Sequence, residues 1–498
     1  MARRGGRSLR AARSTLAKRG RDARREESVA TVCIESIAAG GDGVGRLDGL
    51  ACFVPRTAPG DVAQVALQVH ARHARGRVLQ LLEVSPLRVD AACRHYDGDR
   101  CGGCQLQHLN ADAQRDARLT MVQEALRRIG KREVPRATLV SGAEWAYRGR
   151  LTLTLRPRGG SWIGGLHPYD DASRVFALEE CAIAHPSLVS AWHAVRAQAR
   201  GLPVAGSLRL AFRQVALRGV ADAPAVPTPE TTTLVATVVV VSGGIEWPDG
   251  AAWGATLLRA HADLVAAWWE RADGERQLLA SRESVHDGRD VSSAPVDLND
   301  PTPGDRLPDE LSEHHALVED DGPGAAEALA FAQVNEEVAA ALRSFVLERV
   351  LAHAPTRVVD AYAGIGILSA LLAAAGVHVT AIEADHAGAQ QARRRLRAMP
   401  QSRVVCDTVE AALASSLPAD VVVLNPPRRG VDVRVTALLA EAADRGLRAI
   451  VYVSCDPATL ARDVARLPAW RIAALRCFDM FPQTAHIESV CVLVPEGS

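Results

Sequence analysis

The sequence has no surplus of charge. Its 58 Lys and Arg residues face 58 Asp and Glu residues, so the whole-chain balance gives no electrostatic case for a nucleic-acid partner. Lysine is almost missing, with Lys18 and Lys131 alone, and arginine carries nearly all the positive charge. An Arg- and Ala-heavy chain reflects nucleotide composition, so the arginine excess by itself is a weak pointer. No apolar run reaches the length of a membrane span; even Leu234–Val241 is too short. No apolar stretch follows the basic start as a signal peptide requires, so a cytoplasmic setting is expected. Ten cysteines in 498 residues do not make a disulfide scaffold. What is present, 48% hydrophobic and 23% charged residues, fits roughly two to four globular domains.

Charge is unevenly placed. Residues 1–28 form a basic tail, with Arg3, Arg4, Arg7, Arg10, Arg13, Lys18, Arg19, Arg21, Arg24 and Arg25 before position 26, against Asp22. Such a tail is expected to be disordered and can touch RNA phosphates or serve only solubility. Residues 283–328 are acidic and rich in Asp, Pro and Gly, which reads as a linker or loop lying off any RNA-binding face.

Between these lie three patterned regions. In 29–90, short apolar runs alternate with glycine turns: Gly40-Gly41-Asp42-Gly43-Val44-Gly45-Arg46, then Ala51–Val54, then Pro59-Gly60-Asp61 before Val62–Val69. Strands at this spacing predict a small oligonucleotide-binding-type barrel. In 91–282 the apolar spacing of Leu119, Val122, Leu126 and Ile129 predicts a helix over 111–130. Strand patterns follow at Arg150–Leu155, Leu208–Leu217 and Thr231–Val241, giving a central α+β region. Tyr147-Arg148-Gly149-Arg150 opens it with two arginines able to meet phosphate, or simply solvated at a strand end. The same region holds Cys93, Cys101-Gly102-Gly103-Cys104 and Cys181. Three closely spaced cysteines and a distant fourth suit a metal centre; by spacing alone, zinc and iron–sulfur remain equal. A redox Cys-x-x-Cys lacks its strand–helix context here.

From 329 to the end, apolar strands at 357–361, 378–382, 402–406, 420–424 and 449–453 alternate with helical stretches, predicting a doubly wound, mainly parallel α/β sheet. Polar residues collect where these strands end. Asp360-Ala361-Tyr362-Ala363-Gly364-Ile365-Gly366 forms a glycine turn that lets backbone approach a ligand. Glu383 can accept from ribose hydroxyls, and Asp407 can meet an adenine edge. Asn425-Pro426-Pro427 fixes a polar side chain just past the fourth strand. Cys455 follows the fifth strand, and Pro457 starts a helix whose N-terminus is expected to favour the thiolate. Glu488 precedes the last strand, Ser489–Val494. Glycine turn, Glu and Asp in this order predict an S-adenosylmethionine pocket.

These residues resemble one family. The cysteine set with CGGCQLQH, the FAQVN of Phe331–Asn335, DAYAGIG, NPPRRG, SCDPATLARD and PQTAHIE, together with GDGVGR and FVPRTAPGD near the start, resemble the TRAM-containing iron–sulfur RNA 5-methyluridine methyltransferases. The resemblance implies a class I methyltransferase domain acting on RNA, 23S ribosomal RNA rather than transfer RNA, with a monomer expected and no membrane partner. It implies a [4Fe–4S] cluster on Cys93, Cys101, Cys104 and Cys181. The implied cofactor set is Gln333, Asp360, Tyr362, Gly364, Gly366, Glu383, Asp407 and Asn425. Cys455 is implied as nucleophile, Glu488 as base and Asn425 as their catalytic neighbour, with Phe331 stacking on a base and Arg46 contacting RNA. The chemistry suits the residue types. Carbon 5 of uracil is a poor nucleophile until a soft thiolate adds at carbon 6, and a base must then remove the carbon-5 proton. The base must first leave its stack.

The chain departs from the pattern at Asn425, where the family usually has Asp; at Ala332 and Ala363; and in the seven residues between Cys93 and Cys101, a longer gap than usual. Asn-Pro-Pro also fits amino-methyltransferases, although an aromatic residue normally follows and Arg428 stands here. A non-catalytic iron–sulfur RNA-binding protein is the third reading.

Overall fold

The computed structural model describes residues 28–217, 234–282 and 334–497. Most of the basic tail, the acidic stretch, Phe331 and Gln333 lie outside the described residues. Contacts divide the chain into two compact units: residues up to Ala91 with Cys104–Met121, and Ala92–Gly103 with Val122 onward.

The first unit is built on a closed barrel of β1 (Ser28–Ile37), β2 (Gly43–Leu47), β3 (Leu50–Val54), β4 (Val62–Val69) and β5 (His73–Glu83), in the order β1-β2-β3-β5-β4. Alternation turns Val32, Ile34, Cys52, Val54, Ala63, Val65 and Leu67 inward. Asp61, from the Pro-Gly-Asp turn, is wholly buried. It accepts from the backbone N–H groups of Ala58 (2.6 Å) and Ser85 (2.9 Å) and pairs with Arg88 at 2.9 Å.

The second unit holds two sheets. The first comprises β7 (Arg150–Arg158), β8 (Ser161–Gly165), β9 (Leu208–Leu217), β10 (Leu234–Ser242), β11 (Leu264–Glu270) and β12 (Arg276–Ser281), in the order β12-β11-β10-β9-β7-β8. One face packs Leu151, Leu153, Leu210, Phe212, Val239 and Val241 under helices 186–197 and 250–260.

The second sheet takes β6 (Thr138–Val140), β13 (Arg357–Ala361), β14 (His378–Glu383), β15 (Arg403–Cys406), β16 (Val421–Leu424), β17 (Ala449–Ser454), β18 (Trp470–Phe478) and β19 (Glu488–Pro495), in the order β15-β14-β13-β16-β17-β19-β18-β6. β13 to β17 are parallel; β19 runs antiparallel between β17 and β18. The winding reverses between β13 and β16, and a ligand crevice forms beyond the carboxyl ends of strands at such a switch point. This is the doubly wound, mainly parallel sheet expected above, with short β6 joined to its edge.

The segment Asn425–Gly430, past β16, is clamped onto helix Pro457–Ala465, past β17. Asp463, 0% exposed, accepts from Tyr452 Oη (2.8 Å), the Val431 N–H (2.9 Å), Arg462 Nε (2.9 Å) and Arg466 Nη1 (3.1 Å). Arg462 also donates to the Arg429 carbonyl (2.7 Å) and Thr459 to that of Arg428 (3.0 Å). Gly430 sits at φ 76°, where a Cβ would lie 2.3 Å from Asp463 Oδ2.

Two outcomes follow for stability. Gly430→Ala strains the backbone and intrudes on the clamp, so it should cost about 1–3 kcal/mol in urea unfolding. For Asp61, burial opposes the charge, but Arg88 and the two N–H groups outweigh it and hold the carboxyl below its usual range. Its stabilisation is therefore present above the unfolded value of about 4 and is lost as pH falls through the lower folded value. Asp61→Asn should remove that acid-side slope and lower barrel stability by about 3 kcal/mol, read by unfolding at pH 3 to 7.

Candidate active site

Cys455 and Glu488 meet because of register. β17 and β19 pair with Ser454 opposite Ser489, so the next step along places Cys455 opposite Glu488. Ser489 Oγ donates to the Ser454 carbonyl at 3.2 Å and ties the two ends together. Glu488 is fixed from its other side by the turn before it. Thr484 Oγ1 donates to the Phe481 carbonyl (2.7 Å), and Tyr147 Oη donates to that of Pro482 (3.0 Å).

The electrostatics follow from this closeness. Burial pushes the Glu488 carboxyl up to about 7, with Arg428 pulling the other way. The Cys455 thiol is also raised, first by burial and next by the Glu488 carboxylate; Arg428 and a backbone N–H oppose this. Burial and Glu488 thus outweigh the backbone N–H and the Arg428 cation that favour the thiolate, and the thiol is raised on balance. Asp456 caps helix Pro457–Ala465, accepting from the Thr459 N–H at 2.8 Å, and its own charge acts against the thiolate. Arg428, whose place in the Arg-Arg-Gly run gave no hint of a role, is the cation that acts on Cys455, Glu488 and His486 together. Asp463 was also missed; its signal was an acid on the apolar face of a helix, between Leu460 and Val464. Asn425 is exposed at the end of β16, its backbone N–H bonded to the Ala361 carbonyl (3.2 Å).

The glycine turn lies at the switch point. Tyr362 (φ 62°), Gly364 (φ 57°) and Gly366 (φ 76°) all adopt left-handed backbone. Gly366 does so for packing, since a Cβ there would sit 2.8 Å from Ala392 Cβ, whereas Gly364 faces open space. Glu383 is held at the rim: one oxygen accepts from the Gly364 N–H (2.8 Å), the other from the Asp385 N–H (2.8 Å). Each oxygen keeps a lone pair for a ligand hydroxyl. Asp360 is buried beneath the turn, bonded by Ser369 Oγ at 2.6 Å, and burial lifts its carboxyl to about 6. Asp407 is exposed past β15 and accepts from the Thr408 N–H at 2.7 Å. The Tyr362 hydroxyl has no hydrogen-bond partner among the described residues, although it is shielded from solvent. An orphaned hydroxyl, an open glycine and an oriented carboxylate fit a polar nucleoside cofactor.

The other sites are more scattered. Among the described residues no group of three Cys, His, Asp or Glu side chains is placed to hold a metal ion. Cys101 and Cys104 are buried, Cys93 and Cys181 partly so; burial raises the Cys181 thiol, with a lesser contribution from Cys93 and opposition from the Ala184 N–H, and Gly103 N–H reaches Cys101 Sγ at 3.4 Å. Arg46 is exposed on β2 and pairs with Glu35 at 3.7 Å. Beside it, a shallow hollow of about 450 Å³ is lined by Ala51, Phe53, Arg72, His73 and Arg75, a basic and aromatic surface that the sequence reading did not pick out.

Residues 397–495 match the tRNA (Uracil-5-)-methyltransferase family model, and residues 23–79 match the TRAM domain. The chain is 31% identical over 484 residues, 94% of its length and 97% of the relative's, to a Halalkalibacterium halodurans protein described as the uncharacterized RNA methyltransferase BH0687. It is 29% identical over 477 residues, 93% of this chain and 98% of the other, to the 23S rRNA (uracil(1939)-C(5))-methyltransferase RlmD of Thiobacillus denitrificans. The solved structure of Pyrococcus abyssi tRNA (uracil-54, C5)-methyltransferase with S-adenosyl-L-homocysteine shares the fold, with a TM-score of 0.60 at 23% identity over 93% of this chain and 100% of that one. The relatives run the full length of the crevice-bearing sheet and the barrel alike, and the chain belongs to the TRAM-containing RNA (uracil-5-)-methyltransferase family.

Proposed function

We propose that this chain methylates carbon 5 of a uridine in RNA, with 23S ribosomal RNA the preferred substrate, through a covalent bond between Cys455 and carbon 6 of the base. The observation that carries the reading is the pairing of a strand-end thiol with a carboxyl whose pKa is pushed up to about 7. A group poised there can be a base at neutral pH without being permanently charged.

Cys455 adds to carbon 6 as thiolate, leaving an enolate with charge on carbon 5 and oxygen 4. Arg428, the cation acting on both Cys455 and Glu488, favours the thiolate. Asn425, exposed at the end of β16, presents an amide able to bond the pyrimidine edge. Glu383, Gly364, Gly366, the Tyr362 hydroxyl and Asp407 would hold S-adenosylmethionine, with Asp360 bracing the turn; its sulfonium would give its methyl group to carbon 5 and leave as the neutral thioether. Glu488 then takes the carbon-5 proton, and the electron pair left behind expels the Cys455 sulfur. Gln333 and Phe331 complete the cofactor and base contacts on the family pattern. Arg46 contacts the RNA from the barrel. An amino-methyltransferase has no use for Cys455 or for a neutral-range carboxyl beside it.

The cysteines are a separate proposal, resting on their sequence pattern: Cys93, Cys101, Cys104 and Cys181 bind a [4Fe–4S] cluster, and no step above runs through it. Iron and sulfide at about four each per chain in anaerobically purified protein would support it; about one zinc per chain would replace it.

Three measurements test the reaction. Cys455→Ala should abolish methyl transfer to unmodified RNA and form no adduct with 5-fluorouridine RNA, while S-adenosylmethionine still binds by calorimetry; turnover by this variant sinks the proposal. Glu488→Gln should lower kcat about 10²- to 10⁴-fold yet still trap the fluorinated RNA, because its loss falls after bond formation. The base must be ionised, so kcat should fall tenfold per pH unit as pH drops below about 7, and a flat profile there would remove Glu488 from the role.

A further inference from the structure

Three polar residues of the crevice continue the apolar columns of one face of the eight-stranded sheet. Val421 and Val423 of β16, Val451 and Val453 of β17, and Val490 of β19 pack into a common core. Side chains alternate along a strand, so Asn425, Cys455 and Glu488 extend those columns on the same face, just past the strand edges. Val423 is opposite Val451, which sets Asn425 level with Val453 and Cys455 two residues further on. In a pyrimidine ring, N3 stands directly across from carbon 6. A base bonded to Cys455 at carbon 6 thus meets Asn425 with its N3 edge, as in the reading above.

The hydrogen-bonding capacity of this segment is small. The Asn425 backbone N–H is taken by the Ala361 carbonyl at 3.2 Å. Pro426 and Pro427 have no N–H to give, so no backbone donor here binds O4 of uracil alone. The Asn425 side chain is exposed and makes no hydrogen bond among the described residues. It offers one acceptor oxygen and one NH2 donor on a torsion with two comparable settings. Uracil shows an acceptor at position 4 and a donor at N3; cytosine shows a donor at position 4 and an acceptor at N3. One setting of the amide matches uracil with two hydrogen bonds. Half a turn matches cytosine with two, and nothing on the segment opposes the turn.

We infer that Asn425 admits cytosine as well as uracil, and that this chain methylates carbon 5 of cytidine in RNA as a second activity of the same site. The inference rests on the uridine reading above. The bonds made and broken are the same. The Cys455 sulfur bonds carbon 6, and the electron pair moves to carbon 5 and, through carbon 4, to N3, where the Asn425 amide donates. Carbon 5 takes the methyl group from the sulfonium, whose sulfur keeps the bonding pair and leaves as a neutral thioether. Glu488 takes the carbon-5 proton, the double bond between carbons 5 and 6 re-forms, and the bond to sulfur breaks. The amine at carbon 4 is unchanged, and the product is 5-methylcytidine.

The test uses the full chain and an unmodified 23S ribosomal RNA transcript, in which the methylated uridine is located by nuclease digestion and mass spectrometry. A second transcript carries cytidine at that position alone. 5-Methylcytidine should form there at no less than about a hundredth of the uridine rate, whereas a site with a fixed donor and acceptor rejects the mismatched base by about 10⁴-fold. A smaller rate overturns the inference and leaves the uridine reading intact. No methylation of the first transcript removes the uridine reading itself. Asn425→Ala changes an exposed side chain past the strand and takes the amide from both bases. It should lower kcat/KM about 10- to 100-fold on both transcripts by similar factors. A loss on one transcript only, or on neither, overturns the role given to the turning amide.

Discussion

One reversed strand makes the site. In a parallel sheet only the carboxyl ends of strands reach the ligand crevice, so each strand offers the crevice a residue that follows it. β19 runs against β17, and its amino end therefore arrives at the same edge. That inversion sets Glu488, at the start of a strand, beside Cys455, at the end of one. The pairing is rigid because it is enforced by backbone register and by the Ser489–Ser454 hydrogen bond rather than by flexible side chains. A slip of one residue would turn Glu488 to the other face of the sheet and leave the thiol alone.

Placing two acids so close fixes their behaviour. Each is desolvated, and the charge of one opposes the charge of the other. The resting site therefore favours a neutral thiol, and Arg428 supplies the compensating positive charge. The clamp centred on Asp463 matters for this reason. It holds the carbonyls of Arg428 and Arg429 through Thr459 and Arg462, and so fixes the backbone from which that cation extends. The same helix delivers Asp456, whose cap bond spends the helix dipole that a thiolate would otherwise have used.

Much of this was legible in the sequence. The apolar runs at 357–361, 420–424 and 449–453 gave buried parallel strands within a residue of their observed bounds, because strands covered on both faces leave a continuous signal. The polar residues that end those strands marked the crevice for the same reason: they are where the apolar pattern stops. β18 was not legible. Trp470–Phe478 mixes Arg471 and Arg476 with alanines and contains a bulge between Ile472 and Ala474, so its period is broken. Nor was β6, three residues long and stabilised only by its neighbour. The direction of the thiol shift was not legible because it is set first by burial and next by Glu488, a partner 33 residues away in the chain. Asp463 and the arginine pair on β7 and β9 were invisible for a different reason, since they depend on which segments meet in space.

Arginine stands in two different settings along this chain. Arg428 acts on Cys455, Glu488 and His486 together, and its backbone is clamped through Thr459. Arg150 and Arg213 face each other on the β7–β9 ladder, with Arg209 four residues away along β9, and Glu270 opposes the effect of the neighbouring cations on Arg213. A whole-chain charge of zero conceals both, because the acids that balance them are concentrated elsewhere, above all in residues 283–328. Net charge describes solubility and long-range attraction; it is the strands' register that decides which of the same charges share a face.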